Sequence, residues 1–240
     1  MFTLCCNKFT LSTWSFVVLE YKSACCTRSL SFIIMTHHVW LAPFTCVISG
    51  PTGSGKSVFV HRLIKHAKTV ISPSPDRILY CYGAYQQMFS EMEGVEFNEG
   101  IPSLGEFNGE KHTLVIIDDL MHETNDVVTK LFTRVSHHTN TSVIFITQNL
   151  FYADKETRTI TLNAQYLVLF KNVRDKSQIA HLSRQMYPGN SKHMIESYID
   201  STSEPYSYLF IGLKPNTDDK HRLKGCIFPN DKHNCVYVPK

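Results

Sequence analysis

The stretch Gly50-Pro51-Thr52-Gly53-Ser54-Gly55-Lys56-Ser57 sets glycines, a lysine and a hydroxyl in the spacing of a phosphate cradle. Glycines let backbone N–H groups converge on anionic oxygens, because no Cβ stands in the way. A helix starting at the loop's end adds favourable potential for negative charge. In that arrangement Lys56 pairs with phosphate oxygens and Ser57 offers its hydroxyl to Mg2+. The expected nucleotide site therefore runs from Gly50 to Ser57, with ATP and Mg2+ as its ligands.

Such a cradle needs acids to hold the metal and to orient water. HTLVIIDD (112–119) supplies a pair at the end of an apolar run. Asp118 is expected to hold Mg2+ through water and Asp119 to polarise the attacking water, with Glu123 competing for the second role. SVIFITQN (142–149) is another apolar run with a polar end, and Gln148 is the candidate sensor of the terminal phosphate. Charge developing in phosphoryl transfer calls for an arginine, often supplied by a neighbouring subunit. Arg134, Arg158, Arg174 and Arg184 are candidates, with Arg134 and Arg174 favoured; each reads equally as a solvated cation. His137 and His138, adjacent on a helix, point in different directions and make a poor metal pair. They read more simply as the end of a helix.

The elements that must position these residues follow from the apolar pattern. FTCVIS (44–49) is a continuous apolar run, as expected of a strand covered on both faces, and it leads into the loop. KSVFVHRLIKHA (56–67) follows with helical spacing. RILYCYG (77–83), LVIID within 112–119, SVIFIT, YLVLF (166–170) and YSYLFIGL (206–213) read as further strands. Residues 123–138 and 176–189 read as helices, the latter closed by Pro188 and Gly189. The stretch 91–109, rich in Gly and Glu, is expected to be irregular. Alternating strands and helices imply an α/β fold with a mostly parallel sheet and helices on both faces. One strand between the loop and the acids, followed by a strand with a polar end, points to the additional-strand type of P-loop NTPase. It speaks against small-metabolite kinases.

A chain of 240 residues with 43% hydrophobic and 19% charged residues can bury a core of its own, so fibrous and disordered classes are excluded. A net charge of +3 permits nucleic-acid contact without arguing for it. Adjacent pairs Cys5-Cys6 and Cys25-Cys26 do not make a disulfide framework, and Cys46 and Cys81 fall in apolar runs, so a reducing, intracellular compartment is the simplest reading. Cys226 and Cys235, with His221 and His233 nearby, match no common zinc spacing. Residues 1–34 show no steady period and no run long enough to span a membrane. They are expected to be a non-native or disordered extension, with Met35 the natural start and 35–240 a single ATPase domain.

GPTGSGKS, RILYCYG, LVIIDDLM, LFTRVSHHTNTSVIFITQNLF, RTITLNAQYLVLFKNVRDKSQI and RQMYPGNSK together resemble the DNA-packaging ATPases of the FtsK–HerA superfamily. The likeness is greatest to those of adintoviruses and Polinton (Maverick) elements, with poxvirus-type packaging ATPases more distant. It covers roughly residues 42–240. The resemblance implies a homo-oligomeric, hexameric ring that hydrolyses ATP to drive double-stranded DNA into a preformed viral capsid, through a capsid or portal partner and without a membrane. It implies work inside the host cell, in nucleus or cytoplasm, where virions assemble. It also implies Asp118 as the Mg2+ acid, Asp119 as the water-orienting acid and Gln148 as the sensor. Where the family's pattern has a glycine after LFTR, Val135 stands here, which puts close subunit approach at that point in doubt. Lys171, Arg174 and Lys176 suit a loop that grips DNA phosphates. A DNA helicase or translocase shares every motif above. A low-turnover nucleotide switch from a domesticated or decaying viral element, or a nucleotide kinase, shares the loop.

Overall fold

The computed structural model describes residues 6–11, 14–21, 30–34, 39–118, 120, 125–151, 155–229, 231 and 235–239, with backbone alone at 6–34, 125, 137 and 155. Asp119, Glu123 and Met35 lie outside the described residues. Contacts gather the chain into two compact units, Val39–Phe170 and Met1–His38 with Lys171–Lys240.

Chain order begins with β1 (Cys6–Leu11), β2 (Trp14–Tyr21) and β3 (Leu30–Ile34), three strands in a segment whose sequence shows no period. The 39–170 unit then runs through β4 (Trp40–Leu41), β5 (Thr45–Ser49), α1 (Lys56–Lys65), α2 (Ala67–Val70), β6 (Ile71–Ser72), β7 (Arg77–Tyr82), β8 (Glu96–Glu99), β9 (Thr113–Asp118), α3 (Asn125–Lys130), α4 (Ser136–His138), β10 (Thr141–Thr147), α5 (Lys155–Leu162) and β11 (Tyr166–Phe170). Its sheet has the order β11-β5-β10-β9-β7-β8, and all five neighbouring pairs in it are parallel. Every residue of β5, β9, β10 and β11 is buried. Successive side chains point to opposite faces, so unbroken burial means that both faces are covered. That is why these strands read as continuous apolar runs.

Two of the differences from the sequence expectation bear on this unit's sheet and on the helix before β10. β8, in the stretch expected to be irregular, pairs in parallel with β7 and is tied to it by Arg77, whose Nη2 lies 2.7 Å from Glu96 Oε2. Between α3 and α4 the helix carries a π-helical turn, Leu131–Val135, where an uninterrupted helix is expected. Val135 is buried there with φ −62° and ψ −48°, ordinary helical values that require no glycine.

The starting ends of the parallel strands are joined by side chains. Ser142 Oγ accepts from the Phe44 N–H at 3.2 Å and lies 2.9 Å from His112 Nε2. Asp76 Oδ2 accepts from the His112 N–H at 3.0 Å, and the Asp76 N–H donates to the His112 carbonyl at 2.8 Å. Four segments leading into or lying within β5, β7, β9 and β10 are thereby stitched at one edge.

The other unit adds α6 (Ser177–Met186), α7 (Ser191–Ser201), β12 (Tyr208–Gly212), β13 (Leu223–Gly225) and β14 (Cys235–Val238) to β1–β3. Its strands pair antiparallel in the order β1-β2-β3-β14-β13-β12, so the parallel expectation holds for the 39–170 unit and not for this one. Tyr237 donates to Asp200 Oδ2 at 2.8 Å, linking β14 to α7. Among the described residues no helix is long and apolar enough to cross a membrane, and no three His, Cys, Asp or Glu side chains gather as a metal site.

Candidate functional site

β5 ends at Ser49, and the glycine loop turns the chain into α1. Gly53 and Gly55 hold φ of +76° and +104°, left-handed values that L side chains rarely adopt. Gly50 meets a different constraint. A Cβ there would lie 2.6 Å from Phe170 Cβ and 2.8 Å from Ser54 Oγ, so the loop can approach the end of β11 only without one. Gly50→Ala is expected to lower stability by about 1–3 kcal/mol, the range of an overpacked contact. Urea unfolding checks this, and an unchanged midpoint would remove the close-approach argument.

The loop is closed by its own lysine. Lys56 Nζ donates to the Gly50 carbonyl at 2.6 Å and to the Pro51 carbonyl at 3.0 Å. The Ser54 N–H donates to the Pro51 carbonyl at 3.2 Å. Among the described residues no side chain caps α1, and its first turn holds no acid, so nothing within the helix cancels the positive potential of its start. Arg62 and Lys65 fall in its last turn, the favourable end for cations. Ser54 Oγ is buried with no hydrogen-bond partner among the described residues. A left-handed glycine nest, an uncancelled helix start and an orphaned buried hydroxyl suit a bound anion, and the loop fits a polyphosphate.

Register brings the second motif to the same edge. Ser49 pairs with Thr147 on β10 and with Leu169 on β11, and the Gly50 N–H donates to the Thr147 carbonyl at 3.3 Å. Asp118, the last residue of β9, pairs with Ile146 on β10. β10 thus lies between the loop's strand and the acid's strand, the placement the polar-ended run requires. Two strand spacings separate β5 from β9, roughly 10 Å.

Asp118 is buried, 6% exposed, and its Oδ2 accepts from the Tyr80 hydroxyl at 2.7 Å. Burial, and then the Asp118 charge, hold the Tyr80 phenol well above its usual range, so it stays protonated and donates. Ser57 in the first turn of α1 and Asp118 supply a hydroxyl and a carboxylate, hard oxygen ligands of the kind Mg2+ takes. Asp119, the expected water-orienting acid, lies outside the described residues.

Gln148 is exposed just beyond β10. Thr147 sets it there: its Oγ1 accepts from the Asn149 N–H at 3.3 Å and donates to the Asn149 carbonyl at 3.0 Å. Asn149 Oδ1 in turn accepts from the Phe151 N–H at 3.0 Å, so Asn149 builds the turn and Gln148 faces solvent. Of the arginines, Arg134 is exposed on the π-helical turn and Arg158 on α5. Arg174 and Arg184 are exposed in the other unit, with the Arg174 N–H donating to Asn172 Oδ1 at 3.0 Å. Sequence reasoning passed over Tyr80 and Thr147. An OH-bearing residue facing a strand-end acid from the next strand was the available signal for Tyr80.

No family model and no curated protein matches the chain. Among solved structures, the X-ray structure of the Legionella pneumophila ATPase DotB overlays it with a TM-score of 0.34 at 10% identity, covering 85% of this chain and 70% of that one. At that score the overlay decides nothing about fold or activity.

Proposed function

We propose that the chain is an ATP-hydrolysing motor that moves double-stranded DNA, acting as a homo-oligomeric ring in packaging a viral genome into its capsid. The observation that carries the ATPase reading is the order β5-β10-β9: the strand that ends at Thr147, one residue before Gln148, stands between the glycine loop and Asp118, so three motifs far apart in sequence share one sheet edge. The additional-strand type of P-loop NTPase calls for that insertion. The packaging reading is supported by the motif strings from GPTGSGKS to RQMYPGNSK.

In this reading the loop N–H groups and Lys56 bind and orient the phosphates of ATP. Ser57 and Asp118 hold Mg2+, which neutralises charge on the phosphate oxygens when bound. Asp119 orients a water for attack on the terminal phosphorus. The bond to the bridging oxygen breaks, giving ADP and inorganic phosphate. Gln148, whose amide both donates and accepts, registers the presence of the terminal phosphate. Arg134 or Arg174 of a neighbouring copy counters transition-state charge. The buried Val135 adds to the core of its own unit instead of needing a glycine's approach.

Phosphate release by the chain, with and without blunt duplex DNA, tests the reading. Turnover is expected to rise with duplex, and the stimulation to fall as salt is raised, because a motor grips the backbone electrostatically. Slow turnover that duplex leaves unchanged would favour a nucleotide switch. Separation of a forked duplex would favour a helicase.

A further inference from the structure

Tyr80 belongs to no phosphate-binding motif, yet its hydroxyl reaches the buried acid. Its backbone pairs with Ile116 on β9 while Tyr82 pairs with Asp118, so Tyr80 and Asp118 share a sheet face two positions apart. The phenol ring spans that offset and places its hydroxyl 2.7 Å from Asp118 Oδ2. The ring has little freedom to swing away. It is fully buried, with Phe89 at 4.9 Å and Phe97 at 5.7 Å between ring centroids, and those two rings stack on each other at 5.0 Å.

A carboxylate at a strand end can rotate, and each rotamer presents different oxygens to a ligand. A fixed hydroxyl donor selects one. Because the donor is neutral, it satisfies an oxygen without cancelling the negative charge, as an arginine or lysine at position 80 would. We propose that Tyr80 is a positioning residue for the metal-binding carboxylate: its hydroxyl locks the orientation of Asp118 and thereby sets the affinity of the nucleotide-loaded site for its divalent cation. This rests on the reading of Asp118 as the metal acid.

The experiment uses the full chain with a fluorescent ADP to report the loop and Mn2+, counted by electron paramagnetic resonance, to report the metal. Unmodified chain, Tyr80→Phe and Asp118→Asn are compared. Tyr80→Phe keeps the ring and deletes one oxygen. It should bind the fluorescent nucleotide in EDTA as the unmodified chain does, while the loaded chain's affinity for Mn2+ falls about tenfold, the usual cost of removing a ligand's supporting hydrogen bond. Asp118→Asn should lose more. Mn2+ affinity unchanged in Tyr80→Phe but lost in Asp118→Asn would overturn the role of Tyr80 and leave the site reading standing. Weakened nucleotide binding in EDTA alongside weakened Mn2+ binding would mark Tyr80 as structural only and overturn the inference. Mn2+ binding unaffected by Asp118→Asn would overturn both. Tyr80→Met, an unbranched filler with no donor, repeats the comparison if the phenylalanine chain does not fold.

Discussion

Lys56→Ala should leave ATP hydrolysis at least about a hundredfold below that of the unmodified chain, the scale on which removal of one group that stabilises transition-state charge is felt. At room temperature that factor corresponds to about 2.7 kcal/mol of barrier. Two losses combine. The cation that would pair with phosphate oxygens disappears, and so do the two hydrogen bonds from Nζ to the Gly50 and Pro51 carbonyls that close the loop. Lys56→Arg is not a repair. A planar fork cannot replace a compact ammonium between two adjacent carbonyls. Phosphate release measured beside circular dichroism separates chemistry from folding, and turnover within a fewfold of the unmodified chain would sink the assignment of the loop.

Asp118→Asn is expected to lower turnover without lowering stability. Asparagine is nearly isosteric and its carbonyl oxygen can still accept from Tyr80, so the contact at 2.7 Å can persist. The negative charge is gone, and with it the metal's anchor, so hydrolysis should fall about a hundredfold. A buried charge carries a desolvation cost that the neutral amide does not. The melting temperature should therefore hold or rise, by about 2–4 °C for a gain of about 1 kcal/mol in a chain of this size. Loss of turnover with a falling melting temperature would instead make Asp118 part of the framework.

The loop, the buried strands and the edge on which the motifs meet were legible because their signals are local. Thr45–Ser49, Thr113–Asp118 and Thr141–Thr147 are buried at every position, and such strands show as uninterrupted runs rich in apolar residues. β8 left no such trace: Glu96 and Glu99 are exposed, and only four residues take part. α7 was passed over because its buried face includes His193, Ser197 and Ser201 beside Met194 and Tyr198, which dilutes the helical period. The π-helical turn was invisible because Val128, Leu131, Phe132 and Val135 fit ordinary helical spacing equally well. Tyr80 and Asp118 meet across two strands 38 residues apart, and only the register of β7 on β9 brings them together. No periodicity encodes that.

The stitched starting edge of the parallel strands separates two kinds of wear. Asp76, His112, Ser142 and Phe44 hold one end of the sheet together, while Gly50, Lys56, Asp118 and Gln148 occupy the other. Damage at the first end shortens the molecule's lifetime, whatever it does for a living. Loss of the Lys56 ammonium, the Asp118 charge or the Gln148 amide at the second is felt in turnover first, whereas Gly50, pressed against Phe170, answers to both demands. The end that erodes first would tell which demand lapsed first: a chain kept only as a folded, nucleotide-free part would lose Lys56 and Asp118 long before it lost Ser142 and His112.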